Sequence, residues 1–443
     1  MGVTRELAEY VSKAGFQDIP KSIIEQTKLC VLDWLGVALA GSREELAAIL
    51  ADLIKEVGGE KQATVIGKGF KTSVLNAALI NGAMSHALDL DDYHAYSLTH
   101  PSVTILPAVL AVAEYKKLSG ADVLTAAVMG YEVLSRASGG SSRTHYDRGW
   151  HATSTVGRYG AAAGVAKLLK LNPDKIINAL GITGTQSGGV RQGFGTMCKP
   201  FHPGKAASDG VMSAFLAERG FTGSKEIVEG KYGFYDIFTA NANEVESLKD
   251  LGKYYHVSTV SFKPYPSCGA THSTIDLMKE LRGKADINID DVAEIILEVN
   301  SIATDAAGQI EPKTALEGKF SVYYCAALAL AEGDVGIEKF TDEKVNDPKL
   351  VELRRKVKAS PTLKDLFGAR VTIRMKDGKE YKAYAPVPKG DPGNPLSFDE
   401  LAEKFKSVAG TVLPESNVNK LIEKVMVLEK ITDAGEITAL CNP

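Results

Sequence analysis

The sequence predicts a mainly α protein carrying an inserted α+β part, and three observations predict it. Residues 1 to about 260 read as one Ala- and Gly-rich apolar helix after another, β-branched alternating segments appear only beyond that point, and helical character returns near the C-terminus. With 443 residues the chain exceeds what one hydrophobic core usually organises. The expectation is a large helical domain formed by both chain ends, residues 1–263 and 405–443, with a smaller α+β lid domain, residues 264–404, between them.

The first long helix opens at Ile19-Pro20, because a proline near the first helical position loses an N–H that has no partner there. Ile23, Ile24, Val31, Leu32, Leu35 and Val37, with Thr27 among them, recur at roughly helical spacing until Gly41-Ser42. Further helices are expected at 75–90, 103–115, 121–137 and 152–171, where dense Ala and Gly mark helices packed on several sides. Breaks at Asn172-Pro173 and Pro203-Gly204 show no fixed period, so no solenoid is read. Residues 292–299 (VAEIILEV) are strand-like. Lys376-Asp377-Gly378 between 369–375 and 379–385 signals a hairpin, because Asp-Gly accepts the positive φ of tight turns. Helices at 273–281 and 321–332 complete the α+β part. The loop 389–395 closes it, and helices at 397–405 and near 418–427 follow.

Composition narrows the function classes. Charged residues make up 24% and the net charge is −4, so no basic field gathers nucleic acid or an anionic membrane. The five cysteines, Cys30, Cys198, Cys268, Cys325 and Cys441, form no C-x-x-C pair and are odd in number. That argues against a disulfide framework, a zinc ribbon and an iron–sulfur cluster, and for a reduced, cytoplasmic setting. No signal peptide or membrane span is read.

Six of the eight histidines, His86, His94, His100, His145, His151 and His202, crowd one stretch of chain beside carboxylates and lysines. Histidine suits proton transfer near neutrality, although any one of them has the plainer reading of a polar residue satisfied at a helix end. In His86-Ala-Leu-Asp89-Leu-Asp91-Asp92-Tyr93 the acidic residues oppose a helix dipole and call for a cation or a functional role. His100 precedes Pro101 and so sits in extended chain. His151 opens a helix, where exposed N–H groups favour an anion. The Gly-rich stretch 188–205 carries Arg191, Lys199, His202 and Lys205 and leads into a helix expected at about Ala206. It lacks nucleotide-binding spacing but suits an anion, against the plainer reading of a connecting loop. Lys263, Cys268 and His272 stand in a proline-stiffened segment where the composition changes, which is either a ligand cleft or a hinge. A metal site and a Cys268–His272 nucleophile pair are lesser alternatives.

Taken in order, "CVLDWLGVALAGS", "NGAMSHALDLDD", "THPS", "GWHATSTVGRYGAAA", "KPFHPGKAA", "FKPYPSCGATHSTID", "GKFSVYYCAALAL" and "GDPGNPLS" resemble the MmgE/PrpD family over nearly the whole chain. The resemblance implies the same split fold, a homodimer, and catalysis on a small polycarboxylate without metal or organic cofactor. By matching motifs it implies catalytic roles for Asp89, His100, His151, Lys199, Lys263 and Tyr324, with adjacent Tyr323 as the other choice of lid tyrosine. Tyr93, Arg191, His202, Lys205, Cys268 and His272 are the expected substrate-binding residues. The activity implied first is a 2-methylcitrate dehydratase-like hydro-lyase. An iminodisuccinate-like epimerase and a cis-aconitate-type decarboxylase are the alternatives, and a non-catalytic polycarboxylate-binding protein is the rival of another class. Cys268 and Tyr93 stand where the family's decarboxylases carry histidine and threonine, which turns the expectation towards dehydration.

The expected chemistry follows from the acidity of a C–H bond next to a carboxylate. Fixed cations, Lys199 and Lys263, stabilise the charge that builds on that carboxylate, and Arg191 or Lys205 holds a distal one. His151 is the first choice of base and His100 the second; Asp89 orients a partner and Tyr324 donates a proton.

Overall fold

The structure, a computed structural model, describes residues 2–285 and 287–443. They form two compact units. The first contains the chain up to Ala87, Asp91–Val260 and Ser397–Pro443; the second contains Leu88–Leu90 and Ser261–Leu396. The changeovers fall a few residues before those expected. Ser397 shows why at the later one: its side chain accepts from the Glu400 N–H while the Glu400 carboxylate accepts from its own N–H, a capping box that starts the returning helix there.

The first unit is built on α1 (Lys21–Gly41), α2 (Val74–His86), α3 (Ser102–Lys116), α4 (Gly120–Ala137), α5 (Gly157–Leu168) and α6 (Cys198–Glu218). Most are apolar or small-residue on every face and are buried almost throughout, as helices at the centre of a large core must be. α6 packs against α2, α3 and α5, and α4 packs against α5. The α2–α6 crossing is close enough that a Cβ on Gly204 would lie 2.1 Å from the Leu79 carbonyl oxygen, and one on Gly82 would lie 2.8 Å from the Gly204 Cα. This contact joins the C-terminal turn of α2 to the N-terminal turns of α6. Gly204→Ala is therefore expected to push the helices apart at a cost of roughly 2–3 kcal/mol, read as a lower urea midpoint with an unchanged m-value.

Three boundaries depart from the sequence reading. The helix expected to reach residue 90 stops at His86, because Asp89 takes a left-handed backbone, φ 53°. The helix expected over 152–171 is a short turn, Ala152–Thr155, followed by α5. The helix expected from Ala206 begins at Cys198, so Lys199, His202 and Lys205 ride on its first turns instead of a loop. Pro200 falls where N–H groups lack intrahelical acceptors, and Pro203 forgoes only one more bond.

The second unit carries α7 (His272–Lys284), β1 (Val292–Val299), α8 (Val322–Glu332), β2 (Val357–Ser360), β3 (Ala369–Met375) and β4 (Glu380–Ala385). The sheet order is β2-β1-β3-β4. β1 runs parallel to β2 (Ile295 opposite Val357) and antiparallel to β3 (Ile295 opposite Ile373). β3 and β4 form the hairpin expected at Asp377-Gly378, with Gly378 at φ 89°. Edge strand β4 alternates exposed and half-buried residues, whereas the apolar side chains of β1 and β3 are buried; α7 packs on β3 and β4, and α8 on β2. The chain then contributes α9 (Phe398–Ala409) and α10 (Glu415–Met426) to the first unit, where both pack on α1. No helix among the described residues is long and apolar enough to cross a membrane.

Candidate active site

Within the first unit, the end of α2 and the chain after it bring two imidazoles around one carboxylate. His86 Nδ1 lies 2.9 Å from both oxygens of Asp91, and His100 Nδ1 lies 3.0 Å from Asp91 Oδ2 and 2.9 Å from the Asp92 carbonyl oxygen. Burial by itself would raise the Asp91 pKa, but the two imidazoles, by charge and hydrogen bonding, hold it well below the usual carboxylate range. Asp91 is therefore an anion. Burial pushes His86 down to about 3, the nearby Asp91 opposing and Lys199 reinforcing, so this ring is neutral. His100 is oriented from its backbone as well, its N–H donating to Thr153 Oγ1 at 3.1 Å, and its side chain keeps 17% exposure.

The first turn of α6 supplies the cation. Lys199 Nζ lies 2.8 Å from His86 Nε2 and 5.5 Å from the centre of the Phe194 ring, and the residue is 5% exposed. His151 meets the Phe194 ring edge-on at 5.0 Å and places its Nδ1 3.0 Å from His202 Nδ1. Two ring nitrogens at that distance share one hydrogen, so one donates and the other accepts. Burial, then the charge of Lys199, depresses His151 well below the ordinary histidine range; burial, Arg158 and Lys199 bring His202 down to about 4. One ammonium thus stands beside neutral imidazoles and the buried Asp91 carboxylate. Such a place attracts an anion and offers proton carriers beside it.

Of the expected site residues in this unit, His100, His151, Lys199 and His202 come together. Tyr93 is buried, 6% exposed. Arg191 and Lys205 are placed by contacts of their own. The Arg191 guanidinium stacks 3.9 Å over the Tyr146 ring and donates to the Tyr146 carbonyl oxygen at 3.1 Å, which anchors the Gly-rich loop. Lys205 pairs with Asp209, which Arg158 also grips at 3.0 Å.

Within the second unit, the Lys263 ammonium donates to the Asp89 carbonyl oxygen at 2.9 Å and to Asp89 Oδ1 at 3.0 Å. The left-handed backbone of Asp89 lets main chain and side chain hold the same ammonium. The Tyr324 hydroxyl donates to the Lys339 carbonyl oxygen at 2.6 Å, and burial raises its pKa well above the usual phenol value. Tyr324 is a packed core side chain, while Tyr323 is the half-buried one. His272 is fully buried with Nε2 donating to the Ser267 carbonyl oxygen at 3.1 Å. Cys268 is half-buried and its N–H donates to the Lys319 carbonyl oxygen.

Sequence reading weighed His86 and Asp91 only for a metal site, as a lesser alternative, and passed over Phe194. The available signal was the density of acid and histidine in residues 86–92; which carboxylate faces which ring was not in it. His86, Asp91 and His100 present ligand atoms within 4.8 Å of one another, a spacing a metal accepts.

The chain matches the MmgE/PrpD N-terminal domain over residues 5–246 and the MmgE/PrpD C-terminal domain over residues 265–430. A cis-aconitate decarboxylase of Aspergillus terreus is 29% identical over 100% of this chain and 96% of its own. One from Mus musculus is 30% identical over 99% and 93%. The mitochondrial 2-methylcitrate dehydratase of Yarrowia lipolytica is 24% identical over 95% and 86%.

Proposed function

Since the chain belongs to the MmgE/PrpD family and is a lyase, we propose that it decarboxylates a small unsaturated polycarboxylate of the cis-aconitate type with its own side chains alone. The observation that carries this reading is the buried Lys199 ammonium beside neutral His86 and His151, with His100 braced on the Asp91 carboxylate. The higher likeness to decarboxylases than to dehydratases supports it over the dehydration expected from the sequence.

In this reading a retained substrate carboxylate pairs with Lys199. The bond to the departing carboxylate breaks, carbon dioxide leaves, and the electron pair passes into the adjoining C=C–carboxylate system, where the ammonium stabilises it. The proton that closes the carbon comes from His100 Nε2. With Nδ1–H on Asp91, the charged ring is balanced by that carboxylate, and water restores the proton afterwards. The neutral His151–His202 pair lines the site without adding charge that would compete with Lys199 for the anion. Lys263 enters the proposal as a second cation, and Lys263→Ala tests its share.

Dehydration is the second reading, favoured by the 2-methylcitrate dehydratase relatives and by Cys268 and Tyr93. A panel of cis-aconitate, 2-methylcitrate, citrate and iminodisuccinate, followed by proton NMR in deuterated water, separates the reactions. Decarboxylation is expected to yield carbon dioxide and one deuterium per product. Water loss from a hydroxy acid without carbon dioxide would replace this reading with dehydration, and inversion with exchange would replace it with epimerisation. A reaction abolished by exhaustive chelation would remove the claim that side chains suffice.

A further inference from the structure

The proposed chemistry leaves one central histidine without a task. His86 is 1% exposed, and both its ring nitrogens are engaged, so it touches no ligand. Its surroundings nevertheless define its state. An ammonium 2.8 Å from Nε2 requires a lone pair there, because two donors do not face each other at that distance. The hydrogen must then sit on Nδ1, which faces both Asp91 oxygens at 2.9 Å. The same Asp91 takes His100 Nδ1 at 3.0 Å. From Lys199 to His100 the order is thus ammonium, imidazole, carboxylate, imidazole.

We propose that His86 is a positioning residue for the reaction: held as the Nδ1–H tautomer by Asp91, it accepts from Lys199 at Nε2, so that one carboxylate orients both the ligand-binding ammonium and the proton-carrying His100. The inference rests on the lyase reading above. Without the Nε2 acceptor, the Lys199 ammonium loses the contact that aims it, although its charge remains. If the tautomer flipped, Nε2–H would point at the ammonium and repel it.

The test has a part that needs no substrate. Nitrogen-15 NMR of the histidine rings is expected to show one ring, assigned through its loss in His86→Leu, that is neutral at pH 7 with hydrogen on Nδ1. Lys199→Met is expected to move the Nε2 signal of that ring. A charged His86, an Nε2–H tautomer, or a signal indifferent to Lys199→Met would overturn the proposal. Kinetics supply the second part. His86→Leu is expected to lower kcat about tenfold or more and to raise KM about fivefold, because a mis-aimed ammonium binds the anion less well. A merely structural role would reduce the amount of active enzyme and leave KM where it was; an unchanged KM therefore counts against the proposal. If His86→Leu does not fold, the Lys199→Met spectrum decides alone, with the His86 signal identified by its coupling to Asp91→Asn. If no acid of the panel reacts with the unaltered protein, the lyase reading fails while the spectra still decide whether His86 holds Lys199.

Discussion

Replacing Lys199 by alanine is expected to lower kcat/KM about a thousandfold or more, a loss of roughly 4 kcal/mol in transition-state stabilisation. The size follows from the site's composition. The ammonium is 5% exposed, and the rings nearest it, His86 and His151, are neutral. The anion therefore meets this cation in a poorly screened setting, where charge counts for more than in water. Stability should change much less, by about 1–3 kcal/mol, because His86 Nε2 loses its donor. Circular dichroism and a urea titration check the fold, and initial rates over a substrate series check the chemistry. A folded Lys199→Ala protein with near-normal kcat/KM would take α6 out of the mechanism.

Acid is expected to unfold the helical unit steeply, between about pH 6.5 and pH 4. Burial, the largest cause in each case, lowers His86 to about 3, His94, His145 and His202 to about 4, and His256 to about 2. Each of these groups has a folded pKa below its unfolded value near 6.5. Below that pH the unfolded chain takes up protons that the folded one refuses, so stability present above pH 6.5 is lost as the pH falls. For fully buried His94 the difference amounts to about 3 kcal/mol; for the partly exposed His202 it is smaller because solvent screens the charge. Glu132 acts in the opposite direction: burial raises it to about 7, against the pull of Arg136, so its contribution is lost as the pH rises through 7. Stability should therefore peak near neutrality. Urea unfolding at half-unit pH steps is expected to show uptake of about four protons at pH 5. Uptake of one proton or none would mean that these rings are charged in the folded protein.

Much of the architecture was legible because it is written in short-range patterns. The period-two run 292–299, the Asp377-Gly378 turn and the Ala-rich helices each depend on neighbours within a few residues. Boundaries were harder where two local signals compete. At Cys198 two prolines argued for a loop, yet they fall where a helix tolerates them. At Asp89 the helical pattern ran on, but the backbone turned left-handed.

The order of elements, the two-part division and the family were determined by sequence alone, together with the stretch of chain where histidine, acid and lysine concentrate. Only the tertiary structure decided that Asp91 is the carboxylate shared by two imidazoles, that Arg191 lies over the Tyr146 ring, and that the Tyr324 hydroxyl turns to the Lys339 carbonyl. The reason is distance along the chain. Lys199 reaches His86 across 113 residues because glycines let α2 and α6 cross closely, and no local pattern records which side chains such a crossing brings face to face.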